Sequence, residues 1–167
     1  AGGIDFAHET SDRIWLFSSL ISGSYVSGDA SALERTQKSS TRYYQRPDAG
    51  YLDVDPTRTS LTGYYVMGYV GKQAGTFTMR TGVAAVSPGY EVNDLGFHTS
   101  SDRILLDTHY QYNQVEPGRV LRSWRFFGGP DAVWNFDGDQ VFANVNVQLA
   151  MEFLNYWSTS TRIQIDP

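Results

Sequence analysis

The chain contains no cysteine. A disulfide framework and a thiolate metal centre are therefore excluded, and the redox compartment is not marked by bonding. Basic charge is also in short supply: 13 Lys and Arg against 18 Asp and Glu give a formal net charge of -5. A surface that tracks phosphates needs the opposite balance, which excludes nucleic acid as a main partner. Long apolar runs are missing too. No stretch approaches the ~20 residues of a membrane-spanning helix, and the opening residues have no secretory-leader pattern, so a helical membrane protein is excluded. The chain opens on "AGGIDF" without an initiator Met and stops at "RIQIDP" as a strand gets under way, and it is expected to be a mature or truncated piece of a longer polypeptide.

Glycine and aromatic rings are plentiful instead. Among 167 residues there are 16 Gly and 11 Tyr, and aromatics reach 14%, a composition that suits closely packed strands with rings at an interface. The length fits one domain with a sizeable core.

The segment "QVFANVNVQLAMEF", residues 140 to 153, shows the governing pattern. Val141, Ala143, Val145, Val147, Leu149, Met151 and Phe153 recur in steps of two, with Asn144, Asn146, Gln148 and Glu152 on the opposite side. This is strand periodicity with two unlike faces. Amides lining water lose little hydration, whereas each one buried in a dry core without partners costs about 1–3 kcal/mol.

Eight strands are expected, over residues 4–10, 13–26, 60–73, 76–86, 103–115, 119–135, 140–153 and 158–165, the sixth bulged at 128–130. Most exceed the ~5–6 residues typical of soluble sheets and approach what a tilted membrane strand requires. Short turns such as "SD", "AG" and "EPG" alternate with long polar connections at about 27–59 and 87–102, the first with one short helical turn near "SALERTQ". Both long connections fall at one end of an up-and-down meander, the asymmetry of an outer-membrane barrel with tight periplasmic turns and long external loops. Tyr110, Tyr112, Phe153, Tyr156 and Trp157 gather towards strand ends, where interfacial girdles sit.

The expected fold is all-β: an antiparallel up-and-down transmembrane β-barrel of about eight strands, one domain or a fragment of one over residues 1–167, belonging to a larger barrel. Its lumen would be lined by Arg80, Arg103, Asp107, His109, Asn144, Asn146, Gln148 and Glu152, whose charges would set the field of an open pore or pair with each other across a plugged or narrow interior. Periodicity alone also admits a soluble eight-stranded barrel that carries a small apolar ligand. A third reading makes the barrel an anchor that displays partner-binding surface loops.

Four segments, "SGDASALERTQKSSTRYYQRPDA", "DPTRTSLTGY", "SPGYEVNDLGF" and "WNFDGD", resemble the C-terminal barrel region of large bacterial outer-membrane proteins of unknown function that carry an N-terminal module similar to carbohydrate-binding family 9. The resemblance covers about residues 2–158, and "GYEVNDLGF" is its most specific part. It implies an outer-membrane barrel, and a chain that is a fragment lacking the carbohydrate-binding module. It transfers no catalytic or sugar-binding residue.

Candidate chemistry is sparse. His8, His98 and His109 contain no pair at ligand spacing. Asp53 with Asp55, and Asp137 with Asp139, would offer oxygens to calcium but do not follow the twelve-residue loop pattern, and turn chemistry accounts for them. Ser18 and Ser19 lie outside any nucleophile-elbow pattern. No enzyme activity, metal or cofactor is expected. The first long loop holds Arg42, Tyr43, Tyr44, Arg46 and Tyr51, a set that would suit stacking and hydrogen bonding to a glycan or another envelope protein, or packing over the barrel mouth. Outer-membrane lipid is the remaining expected partner.

Overall fold

A computed structural model describes residues 1–47, 49–93, 96 and 98–166; Asp48, Asp94, Leu95, Phe97 and Pro167 lie outside the described residues, and with them parts of both long loops. The strands are β1 (Gly2–Glu9), β2 (Trp15–Ser27), β3 (Ser60–Lys72), β4 (Phe77–Val86), β5 (Arg103–Gln114), β6 (Leu121–Trp134), β7 (Gln140–Phe153) and β8 (Ser158–Ile165). They form one antiparallel sheet in simple sequence order. The all-β antiparallel meander of eight strands is thus the observed architecture. It is an open sheet, with β1 and β8 as its two edges.

Register settles which side chains share a face. Ile4 stands opposite Ile21, Ile21 opposite Val66, Val66 opposite Ala85 and Ala85 opposite Ile104. Lower down, Phe77 pairs with Tyr112, Tyr112 with Phe126, Phe126 with Leu149, and Leu149 with Thr161. One face of the sheet is therefore apolar across every strand. Among the strand residues this face carries no Asp, Glu or Arg, and His8 and Lys72 stand on it only in rungs at the tight-turn end. The reverse face holds Asp5, Glu9, Arg80, Arg103, Asp107, His109, Asp131, Asn144, Asn146, Gln148 and Glu152.

The apolar face is bare. Ile4 is 79% exposed, Ile21 59%, Val83 59% and Ile163 58%. The chain's accessible surface is 10569 Å², whereas a compact monomer of this mass would show about 8,300 Å². Rings edge this face at both ends. Tyr112 stacks on Trp124 with centroids 5.0 Å apart near the tight turns, and Tyr64 meets Phe136 edge-on at 6.2 Å near the long loops.

Two local expectations are corrected. The irregularity placed at residues 128–130 lies elsewhere: β6 and β7 shift register between Leu121 and Ser123 and between Val133 and Trp134, while Gly128, Gly129 and Pro130 stay in step with Val147, Asn146 and Val145. Pro130 lacks an N–H, and the pairing of β5 with β6 lapses over Gly129 and Pro130, but the register is the same on either side, so no extra residue enters the strand. The helical turn near "SALERTQ" is a full helix, α1 (Ala30–Lys38), with Leu33 and Gln37 buried.

Candidate functional site

The largest cluster of buried side chains sits at the long-loop end, where the loops meet the strand ends. Leu33, Tyr44, Ala49, Leu61 and Tyr90 are buried there. Gln37 fastens α1 to the far limb of its own loop: its Oε1 accepts the Asp55 N–H at 2.8 Å and its Nε2 donates to the Asp55 carbonyl at 2.9 Å. An amide paired on both sides with one peptide unit satisfies the polar atoms of a fully buried side chain.

The second long loop turns back across the polar face. Tyr90 shares a 2.7 Å hydrogen bond with Ser22, and the Glu91 N–H donates to Ser24 Oγ at 2.9 Å. Close approach is possible because Gly63 and Gly89 have no side chains where backbones cross. A Cβ on Gly63 would lie 2.1 Å from the Tyr90 nitrogen, and one on Gly89 would lie 2.3 Å from the Thr62 carbonyl oxygen.

Two arginines tie the loops together. Arg42, 2% exposed, donates through Nη2 to the Tyr90 carbonyl and pairs with Glu91 at 2.7 Å. Arg46 pairs with Asp102 and donates to the Tyr51 hydroxyl at 3.1 Å. Tyr51 in turn donates to Asp102, whose other oxygen accepts the Phe136 N–H at 3.1 Å. One carboxylate thus joins the three connections at this end of the meander. Burial, then the hydrogen bond and charge of Asp102, push the Tyr51 hydroxyl well above its ordinary ionisation range. Burial raises Tyr44 likewise, against the pull of Arg42 and Arg58. His98, 3.0 Å from Ser101 Oγ and edge-on to Tyr90, is shifted down by burial and by Arg42.

Of the five loop residues proposed from sequence for a stacking surface, Arg42, Tyr44, Arg46 and Tyr51 are brought together inside this cluster, and Tyr43 holds its ring half exposed. Their partners Tyr90, Glu91 and Asp102 were not singled out, because nothing local marks a residue as the mate of one about 50 positions away. Most of the polar-face residues lie further down the sheet. Arg80 meets Asp107 at 3.2 Å and spreads over the Tyr69 ring at 5.4 Å. His109 leans on Phe127, which also carries Arg125 at 5.1 Å. Gln148 Oε1 accepts both Arg162 Nε and Nη2, at 3.2 and 2.9 Å. Asn144 donates to Asp166, Asn146 donates to the Gly129 carbonyl at 3.4 Å, and Glu152 pairs with Arg122 at 3.2 Å. Arg103 stands on the same face, opposite Val86.

The acidic pairs considered for calcium are engaged in turns at one member each. Asp55 Oδ1 accepts the Thr57 N–H at 2.9 Å, and Asp139 accepts from Asn135 Nδ2 at 3.0 Å. Among the described residues no group of three or more His, Cys, Asp or Glu is placed to hold a metal ion.

An all-β antiparallel sheet with one apolar and one polar face, its long loops clamped together at one end, is the class of protein the geometry defines. Residues 20–167 match the family described as Domain of unknown function (DUF5916), and the chain belongs to that family. No curated protein and no solved structure matches it.

Proposed function

We propose that the chain forms the wall of a β-barrel in a bacterial outer membrane, non-catalytic, serving as a transport or glycan- and partner-binding scaffold. The observation that carries this reading is the segregation of the two faces: apolar side chains, up to 79% exposed, on one side of all eight strands, and charges and amides on the other. In water such a face would be an aggregation surface, whereas against acyl chains it is the low-energy arrangement. Strand length agrees. The 14 residues of β7 extend about 46 Å at ~3.3 Å per residue, which a tilt of ~40° projects to about 35 Å, more than the ~25 Å apolar band of such barrels. The free edges of β1 and β8 support a sheet completed by further strands, since an open edge cannot stand in lipid. The resemblance of "GYEVNDLGF" and its companion segments supports an outer-membrane origin and a parent chain with an N-terminal carbohydrate-binding module.

The test is folding of the full-length protein, with the strands that complete the sheet, from urea into phosphatidylcholine vesicles, followed by flotation and an alkaline wash. It is expected to float with the vesicles and resist the wash. A full-length protein that stays monomeric and folded in detergent-free buffer would contradict the assignment.

A further inference from the structure

The segment at residues 87–91 leaves the end of β4 and does not rise away from the sheet. It crosses β3 at backbone contact, over Gly63, and reaches β2 at Ser22 and Ser24, all on the polar face. Its position is fixed from above by Arg42, which holds the Tyr90 carbonyl and the Glu91 carboxylate, and from the side by His98, whose ring meets Tyr90 edge-on at 5.5 Å. Tyr90 lies against Tyr65 at 6.1 Å, so its ring stands over the polar wall.

We propose that residues 87–91, locked by Arg42, are a fixed constriction over the polar face that sets the size limit for what passes along it from the long-loop side. This rests on the reading of the polar face as the aqueous interior. A strap hydrogen-bonded to wall serines and seated on a glycine cannot swing without opening a buried ion pair, which makes it a permanent narrowing and not a mobile lid. Its inner surface is the Tyr90–Tyr65 pair with the Arg42–Glu91 ion pair behind it. On the same face, nearer the tight-turn end by register, stand Arg80 with Asp107 on β4 and β5, and Asn146 on β7.

The experiment uses the complete parent protein in vesicles, with Asn146→Cys as reporter, and maleimides of graded size added from the long-loop side. Small maleimide is expected to react with the reporter in both the parent and an Arg42→Ala, Arg46→Ala background, while a bulky polymer-linked maleimide reacts several-fold faster only once the arginines are removed. Equal bulky-reagent rates in the two backgrounds would overturn the constriction while leaving the membrane reading in place. A reporter at position 146 that resists even the small reagent, with Val145→Cys reacting instead, would overturn the facing of the wall itself. Should the double variant fail to fold, Ser24→Cys with Glu91→Cys keeps the proposal exposed. The two thiols are expected to close into a disulfide on oxidation, and a folded chain in which they stay reduced would show that the segment does not lie on the wall.

Discussion

Arg46 and Asp102, 56 positions apart in the chain, form an ion pair whose carboxylate is fully buried. The same carboxylate accepts the Tyr51 hydroxyl and the Phe136 N–H, so it orders three loops at once. Removing one partner of a buried pair leaves the other charge without compensation. Asp102→Ala is expected to lower stability by about 3 kcal/mol, checked by urea titration of tryptophan fluorescence in detergent micelles. A loss no larger than that of an exposed control, such as Asp53→Ala, would show that the pair does not hold the loops.

Tyr51 links this cluster to pH. Its hydroxyl is held neutral above the ordinary value of 10.0 by burial and by Asp102. Because the folded value is the higher one, stability from this group is complete below pH ~10 and is lost as pH climbs from there through the raised value. The wild-type chain is expected to melt above Tyr51→Phe at neutral pH, and the gap between the two melting temperatures should narrow above pH ~10. A gap that is constant across the alkaline range would separate Tyr51 from the coupling.

The crossing at Gly63 gives a steric prediction. A methyl group there meets the Tyr90 nitrogen at 2.1 Å, against a neighbouring backbone and not a flexible side-chain end, while one on Gly2 meets nothing within 4 Å. Gly63→Ala is expected to cost about 1–3 kcal/mol, and Gly2→Ala should leave the unfolding midpoint in place. Parallel midpoints for the two variants would contradict the crossing.

Neighbouring positions on β7 should respond oppositely to the same charge. Val147 belongs to the apolar face, and Gln148 to the polar face beside Arg162. Val147→Arg is expected to cost about 2–4 kcal/mol for vesicle folding if it lies near the bilayer midplane, and Gln148→Lys much less. The comparison is read from urea midpoints in vesicles of one lipid composition.

Much of the sheet was legible because a strand's information is local. Val145, Val147 and Leu149 alternate with Asn146 and Gln148, and that spacing gives the element and which residues share a face. The tight turns were legible for the same reason. The long-loop cluster was not, since its bonds join residues such as Arg42 and Glu91 that no periodicity connects. Arg42 looks like an ordinary surface cation in sequence and is buried only because Tyr90 and Glu91 close over it. The expected bulge at 128–130 failed for a related reason: a Gly-Gly-Pro run marks where a strand is weak, while the neighbours on both sides decide whether its register slips.

The facing of the two sides is tested most directly by a single-cysteine scan through positions 144 to 149 in vesicles, where every introduced thiol is the only one in the chain. Reaction with a charged, membrane-impermeant thiol reagent is expected at 144, 146 and 148, with 145, 147 and 149 protected and quenched instead by a spin label carried on the acyl chains. The reverse alternation, or uniform reaction at all six positions, would contradict a wall with lipid on one side and water on the other.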